Sequence, residues 1–201
     1  MGKAFTEQER ENVREALRRE GLKLLAQDGI RNVSIRELTG RVGIAQGGFY
    51  TFYKDKEEFV TDLILLRIRE KTQLMLEHKE ISLADPAGYL TDLLYREGMH
   101  LKENMAFNNR VSGSIEFFMK TKELDSGEGK EIYRRFLCEL IGYWEANGYR
   151  IECDVGGIIS AGTMAAVLFS NAEIISETYF ADIYRAYCES AISRFLKVVH
   201  V

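Results

Sequence analysis

Apolar residues recur every three or four positions along most of the chain, and this spacing predicts helices almost throughout. The first helix is predicted from Thr6 to Asp28, because Thr6 and Glu9 form a capping box and Gly29 suits a helix end. Strand patterns are scarce, and Pro86 is the single proline. We therefore predict an all-α protein of about nine helices.

The segment between Ser34 and Lys56 carries the most information. Ser34 and Glu37 form a Ser-x-x-Glu capping box that begins a second helix, and Gly43 ends that helix with a residue suited to a left-handed turn. A short third helix is predicted from about Ala45 to Tyr53. Two short helices joined by a tight glycine turn indicate a helix-turn-helix, whose second helix faces base edges in a major groove.

The predicted third helix carries polar groups suited to DNA. Gln46 has an amide that can pair with a base edge, the Tyr50 hydroxyl can reach a phosphate, and Lys54 adds a positive charge. Gly47 and Gly48 each cost about 1 kcal/mol in a helix relative to Ala, which close approach to another surface would explain. The predicted DNA-contacting residues are Ser34, Arg36, Gln46, Gly47, Gly48, Tyr50, Thr51, Phe52 and Lys54.

These residues also carry a family resemblance. The sequence SIREL from Ser34 is followed after a short gap by GIAQGGFYTFYKDKEEF from Gly43, and it resembles the TetR family of bacterial transcriptional regulators. That family typically reads G-V-S-x-G-[TA]-[LF]-Y-x-[HY]-F-x-[SDN]-K-E-x-L. The chain departs from it at Ala45, where a Ser cap is usual, at Gly48, and at Phe52, where a His or Tyr often contacts the DNA backbone.

The remaining pattern predicts a helical body. Its helices are expected at Phe59–His78, Ala87–Glu103, Met105–Lys122, Glu131–Asn147, Val155–Ala172 and Tyr179–Val198, with a loop at 79–85. We predict a helix-turn-helix DNA-binding domain over residues 1–56 and an effector-binding and dimerisation domain over residues 57–201.

Charge follows the same division. Residues 1–56 hold 11 Lys and Arg against 8 Asp and Glu, whereas residues 57–201 hold 16 against 23. This asymmetry favours a DNA-binding head on a body that does not bind DNA. The three cysteines, Cys138, Cys153 and Cys188, are far apart, and we expect buried, reduced thiols. We also expect no secretory signal and a cytoplasmic protein.

The stretch Val155–Ala172 contains no charged residue. A transmembrane span is one interpretation, but the stretch is short and contains Gly, Ser, Thr and Asn, so a fully buried helix is favoured. Together with the wide apolar stripe of the last helix, this buried helix predicts a homodimer. An ordinary intrachain core would use the same residues. The predicted interface comprises Gly157, Ala161, Ala165, Leu168, Ile183, Tyr187, Ala191 and Phe195.

No catalytic constellation accompanies these features. The histidines His78, His100 and His200 lie far apart, and no phosphate-binding or nucleophile motif is present, so we expect no enzyme activity, metal or cofactor. The family resemblance implies a small-molecule effector inside the body. Candidate wall residues are Met99, His100, Phe107, Phe118, Trp144 and Phe169, which an ordinary core would also contain.

Two interpretations follow. The first is a dimeric TetR-like regulator, usually a repressor in this family, that binds a roughly palindromic double-stranded DNA operator and is released by an effector, with no membrane partner. The second is a helical binding or scaffold protein that keeps the head but has lost operator recognition, which Ala45, Gly48 and Phe52 would suit.

Overall fold

A computed structural model describes residues 6–28, 33–107, 127–168, 174, 176 and 178–200. The chain divides into two compact units, Met1–Arg67 and Ile68–Val201. The domain boundary predicted after residue 56 lies at the beginning of the helix that contains this division. The described residues are mostly helical, as predicted, with one small two-stranded sheet that was not.

The described elements follow one another in a simple order. The first unit contains α1 (Glu7–Asp28), α2 (Ile35–Val42), α3 (Gln46–Phe49) and the beginning of α4 (Lys56–Glu77). The second continues with a 3₁₀ helix (Lys79–Leu83), α5 (Pro86–Phe107), α6 (Glu128–Ala146), β1 (Tyr149–Cys153), α7 (Val155–Leu168), α8 (Phe180–Phe195) and β2 (Leu196–His200). Most of the predicted sixth helix, 105–122, lies outside the described residues.

The predicted caps form in the first unit. Thr6 Oγ1 accepts from the Glu9 amide at 3.2 Å, and the Glu9 carboxylate accepts from the Thr6 amide at 2.7 Å. Ser34 Oγ accepts from the Glu37 amide at 3.3 Å, so it caps α2. Gly43 follows α2 with φ of 80°, the left-handed conformation that glycine adopts without steric cost.

One apolar core holds the first unit together, and α1, α2, α3 and α4 each contribute to it. Its centre includes Leu17 and Leu24 of α1, Leu38 of α2, Phe49 of α3 and Phe59 of α4, all 0% exposed. Gly21 lets α1 approach α4 closely, since a Cβ at this position would lie 2.4 Å from the Phe59 ring. The structure therefore explains why a glycine interrupts the predicted apolar stripe of α1.

The second unit packs α5, α6, α7 and α8 around a separate core that includes Leu140, Trp144 and Ile192. The Trp144 indole N–H donates to the buried Ser82 hydroxyl at 2.7 Å. Ser82 lies on the 3₁₀ helix, in a segment that the sequence predicted only as a loop. This hydrogen bond fixes the segment onto the core, because both groups are buried and each satisfies the other.

The sheet pairs β1 with β2 antiparallel, with Tyr149 opposite His200 and Cys153 opposite Leu196. Exposure alternates along β1, with Arg150 and Glu152 exposed. The predicted last helix, Tyr179–Val198, therefore ends earlier, because the backbone becomes extended at Leu196 with φ of −131° and ψ of 126°. Alternation over five residues is too short a signal to stand out beside long helical stripes.

Three further expectations need correction. The fifth helix continues through Asn104 to Phe107, where a break was predicted. The cysteines are free, as expected, but only Cys188 is buried, since Cys138 is exposed and Cys153 is half-buried. The uncharged stretch forms α7, which is 14 residues long. Within the described ranges, no helix is long and apolar enough to cross a membrane.

The close approach at Gly21 generates a stability prediction. Gly21→Ala should lower the free energy of unfolding by about 1–2 kcal/mol, because the clash with Phe59 outweighs the gain in helix propensity. Gly40 of α2 is the matched control, since no atom lies within 4 Å of its virtual Cβ. Gly40→Ala should raise stability by about 0.5–1 kcal/mol. Urea denaturation followed by circular dichroism measures both, and stabilisation by both substitutions would contradict the packing described.

Candidate functional site

The helix-turn-helix is anchored by one aromatic side chain. Phe49, the last residue of α3, is 0% exposed and packs between Tyr53 and Phe59, with ring centroids 5.6 and 5.5 Å away. Tyr53 in turn lies edge-on to Phe59 at 4.9 Å. Because Phe49 points inward, it fixes which residues of the short α3 face outward.

A polar network holds the chain just after α3. The Arg18 guanidinium donates to both Asp62 carboxylate oxygens, at 2.8 and 2.9 Å. The Tyr53 hydroxyl donates to the same carboxylate at 2.7 Å. Asp62 thus joins α1, α4 and the end of the helix-turn-helix. The hydrogen bond to Asp62 raises the pKa of Arg18. The pKa of Tyr53 is also raised, mainly by burial and to a smaller extent by its hydrogen bond to Asp62.

The recognition segment is a single helical turn followed by tighter turns. It was predicted as a helix from Ala45 to Tyr53, but α3 covers only Gln46–Phe49. Beyond it, the Thr51 and Phe52 amides bond three residues back, at 3.2 and 2.9 Å. Two features shorten the helix: the two glycines at 47 and 48 weaken it, and Ala45 provides no side-chain cap.

Four predicted contact residues form an exposed polar group around α3. Gln46, Gly47, Tyr50 and Lys54 are exposed, Tyr50 by 53%. A Cβ added at Gly47 would meet nothing within 4 Å, so the backbone there is open to a close neighbour. Among the described residues, Lys54 makes no side-chain ion pair. We call these four residues the recognition face.

Four other predicted contacts have mixed surroundings. Arg36, on the first turn of α2, is exposed, and its side chain makes no ion pair within the described part of the chain. Ser34 is half-buried and acts as the helix cap. The Thr51 hydroxyl donates to the Gly48 carbonyl at 2.7 Å, and Gly48 is half-buried against Ile44. Arg36 therefore extends the exposed polar surface, while the other three shape the backbone.

Phe52 requires correction as a predicted DNA contact. It is 8% exposed and belongs to the apolar core of the first unit. The Arg10 guanidinium lies over its ring at 5.3 Å and donates to the Thr51 carbonyl at 3.2 Å. The side chain that replaces the family's usual His or Tyr therefore stabilises the head from within.

The second unit encloses an apolar cavity of about 370 Å³. Residues from α4, α5, α6, α7 and α8 line it. Its apolar walls include Ile68, Met75, Leu90, Leu93, Leu94, Phe136, Leu137, Ile158, Ile159 and Ile192. The volume lies within the range of about 300–1,000 Å³ that is typical of small-molecule sites.

Charged residues line one part of this cavity. The Lys71 ammonium on α4 donates to the Glu97 carboxylate on α5, and Lys130 lies on the first turn of α6. Arg69, two residues before Lys71, pairs with Glu128, two residues before Lys130. This second pair brings the two helices together at the level of both lysines. Burial lowers the pKa of Lys71.

The three predicted pocket residues whose side chains the structure describes are not among the residues that line this cavity. Trp144 is fully buried in the core beside Ser82, Met99 packs against the cluster around Tyr184, and His100 is exposed. The Phe107 side chain, Phe118 and Phe169 lie outside the described residues. The spacing of Ile68, Lys71, Thr72 and Met75, which places all four on one helix face, would have found this wall.

The predicted dimer residues differ in exposure within a single chain. Ala161 and Ala165 are buried, at 6% and 3% exposure. Gly157 packs against Phe195, whose ring would lie 2.3 Å from an added Cβ. Ile183 is instead 63% exposed, and Tyr179, one turn earlier, is 65% exposed. The small residues of α7 therefore serve the intrachain core, while α8 keeps large apolar side chains exposed. Leu168, Tyr187 and Ala191 are half-buried.

Comparison with known proteins agrees with this geometry. A family model described as bacterial regulatory proteins, tetR family, matches residues 17–63, from α1 through the helix-turn-helix into α4. The DNA-binding head of the chain therefore matches the TetR family. A curated relative, the HTH-type transcriptional regulator AcrR of Shigella flexneri, is 26% identical over 105 residues, which cover 52% of this chain and 47% of AcrR. The match thus spans about half the length of that relative.

Solved structures share the fold beyond the head. RolR in complex with its ligand resorcinol matches with a TM-score of 0.61 at 20% identity, covering 94% of this chain and 97% of RolR. NalD, the secondary repressor of the MexAB-OprM multidrug efflux pump in Pseudomonas aeruginosa, matches with a TM-score of 0.50 at 13% identity, covering 92% and 97%. The fold that the chain shares with these proteins therefore extends through the helical second unit.

The Arg18–Asp62 pair generates a second stability prediction. Arg18→Met should lower the free energy of unfolding by about 1–3 kcal/mol, because it leaves a partly buried carboxylate with fewer donors. Arg14→Met on the same helix is the control. Arg14 lies 3.6 Å from Glu11 at the surface, and its loss should cost less than about 0.5 kcal/mol. Equal losses in urea denaturation would show that the Asp62 network does not hold the head.

Proposed function

We propose that this TetR-family protein is a transcriptional repressor that binds a roughly palindromic operator as a homodimer and is released by a small-molecule effector. The observation that carries the proposal is the recognition face: an amide, an open glycine backbone, a hydroxyl and an ammonium that has no ion pair among the described residues, all exposed around one turn of helix anchored by Phe49. The names of AcrR, a transcriptional regulator, and NalD, a repressor, support it.

Each group on the recognition face suits a different part of the duplex. The Gln46 amide can pair with an adenine edge, while the Tyr50 hydroxyl and the Lys54 ammonium suit phosphates. The absence of a side chain at Gly47 lets the backbone approach the DNA. One short helix offers few contacts, so we propose that two heads act together at half-sites about one helical turn apart or a multiple of it.

The exposed apolar residues of α8 support a dimer. Tyr179 and Ile183 are separated by one helical turn and therefore lie on the same face, each more than 60% exposed. Exposed apolar area of this kind marks interaction surfaces in otherwise well-packed proteins. A second copy of the chain is the proposed occupant, in line with the homodimer expected of this family.

The cavity supports an effector site. It is largely apolar, with a few polar groups on one part of its wall, which is the usual make-up of a small-molecule site. RolR, which shares the fold, holds resorcinol. An effector that prefers the conformation unable to bind DNA would lower operator affinity by its differential affinity for the two states.

The first test concerns DNA contacts. Lys54→Ala should weaken binding to DNA from immediately upstream of the protein's own gene and reduce the slope of log K against log salt by about one. Tyr50→Ala should also weaken binding, and Tyr50→Phe should reproduce the loss if the hydroxyl makes the contact. Fluorescence anisotropy at several salt concentrations measures these changes.

Lys23→Ala is the matched control for Lys54, because the Lys23 ammonium pairs with Glu20 at 2.8 Å on α1. Its salt slope should match that of the unaltered protein. Unchanged binding in both the Lys54 and Tyr50 variants would place the DNA contacts elsewhere. Equal, salt-sensitive binding to a scrambled duplex would instead favour a binding protein that no longer reads sequence.

The second test concerns the dimer. Ile183→Glu should shift the protein from dimer to monomer, because it places a charge within the proposed apolar interface. Ile81→Glu is the matched control, since Ile81 is equally exposed, at 63%, but lies on the 3₁₀ helix. Size-exclusion chromatography with light scattering separates the two outcomes. A dimeric Ile183→Glu protein would move the interface away from this part of α8.

A further inference from the structure

We infer that the ligand of the cavity is an apolar carboxylate, whose anionic head binds between Lys71 and Lys130 while its hydrocarbon part fills the apolar walls. This inference rests on the proposed effector site and adds the chemical class of its ligand. The cavity combines two features that a neutral apolar ligand would not explain: a hydrocarbon-lined interior and an excess of positive charge on one part of its wall.

Among the lining residues that the structure describes, the charge excess follows from three side chains. Lys71 and Lys130 each contribute a positive charge, and Glu97 contributes one negative charge, already engaged with Lys71. Within the described ranges, Lys130 makes no ion pair or hydrogen bond through its side chain. Lys130 as a residue is half-buried and lines an apolar cavity, so an anionic ligand there would gain a charge-assisted hydrogen bond.

Lys71 on α4 and Lys130 on α6 line the same cavity. Arg69 and Glu128 form an ion pair between the same two helices. An anion between Lys71 and Lys130 would therefore accept charge-assisted hydrogen bonds from two helices. Burial lowers the pKa of Lys71, and a bound carboxylate would oppose this effect by stabilising the ammonium.

Three of the hydroxyl groups that line the cavity are already engaged. Thr72 and Thr163 donate to carbonyls of their own helices, at 2.9 and 3.0 Å. The Tyr184 hydroxyl donates to the Leu94 carbonyl at 2.9 Å. The Tyr133 hydroxyl and the two lysines are further donors on the described part of the wall, and of these donors only the lysines carry the positive charge that favours an anionic head group.

Glu97 has a distinct role in this arrangement. It competes with the ligand for Lys71, so an empty cavity keeps its charges partly balanced. A carboxylate ligand must share Lys71 with Glu97 or displace it. Removal of the Glu97 charge should therefore strengthen binding of an anion and weaken binding of a cation.

The test compares three probes of equal chain length on the purified full chain: octanoate, octan-1-ol and octylamine. Isothermal titration calorimetry should show octanoate binding about tenfold more tightly than octan-1-ol, the factor expected of a charge-assisted hydrogen bond. Octylamine should bind most weakly. Octanoate binding that is no tighter than octan-1-ol binding, or no binding by any probe, would overturn the inference.

Three substitutions locate the head group. Lys71→Met and Lys130→Met should each weaken octanoate by about tenfold and leave octan-1-ol unchanged, because methionine keeps an apolar stem of similar length. Glu97→Gln should strengthen octanoate binding. Lys197→Met is the control, since Lys197 is exposed on β2 and lies 3.9 Å from Glu152, outside the cavity. Circular dichroism confirms that each variant is folded.

The outcomes separate this inference from the proposed function. Octan-1-ol binding equal to that of octanoate, unaffected by both lysine substitutions, would refute the anionic head group while leaving the cavity as an effector site. Octanoate that binds through the lysines but fails to release bound DNA would support the head-group site and argue against the effector role.

Discussion

The Asp62 carboxylate ties together the parts of the first unit that must stay aligned for DNA recognition. It accepts from Arg18 of α1 and from Tyr53 at the end of the helix-turn-helix, while its own backbone lies on α4. Most of the stabilising free energy comes from apolar burial, about 1.5–3 kcal/mol for each large side chain such as Phe49. The polar network fixes how α1, α4 and the end of the helix-turn-helix are oriented, because hydrogen bonds are directional and purely apolar contacts are not.

Apolar burial for stability and hydrogen bonds for orientation together explain how so short a helix can present a recognition face. Four residues cannot form a stable helix on their own, since nucleation costs more than one turn returns. Phe49 supplies the missing stability by burying its ring against Tyr53 and Phe59. The polar side chains around α3 are then not needed for packing and remain exposed. The glycine at 47, which weakens the helix, keeps the same surface open.

The sequence predicted what depends on local chemistry. The caps at Thr6, Ser34 and Gly43, the apolar stripe of α1 and the family resemblance all rest on residues close together in the chain, and the structure confirms them. What depends on distant partners was missed. The β1–β2 pair joins segments almost fifty residues apart.

The walls of the cavity were not identified for the same reason, because helices from across the second unit form them. The predicted wall residues were chosen because they were expected to face inward, and Trp144 does so as part of the solid core. Phe52 shows a related error. Its position in the family motif suggested a DNA contact, but an apolar side chain beside the core of the first unit packs inward, where the Arg10 guanidinium covers it. Position in a motif predicts backbone geometry more securely than side-chain direction.

The two candidate sites differ in the interactions on which their binding depends. The recognition face is polar, exposed and preorganised from behind, so its affinity for DNA should depend strongly on salt. The cavity is largely apolar, so its affinity should follow hydrocarbon area and one charge interaction at its wall. The proposed regulation requires only that the ligand bind two conformations with different affinities. This difference in binding free energy couples ligand binding to DNA binding without direct contact between ligand and DNA.

The most direct test of the central claim is hydroxyl-radical footprinting of the purified protein on DNA from immediately upstream of its own gene. The account predicts two protected patches on one face of the duplex, with centres about 10 base pairs or a multiple of that apart, arranged as an inverted repeat. Disruption of either patch should weaken protection of the other. Uniform protection that disappears with modest salt, or none at all, would contradict a dimeric regulator that reads sequence through α3.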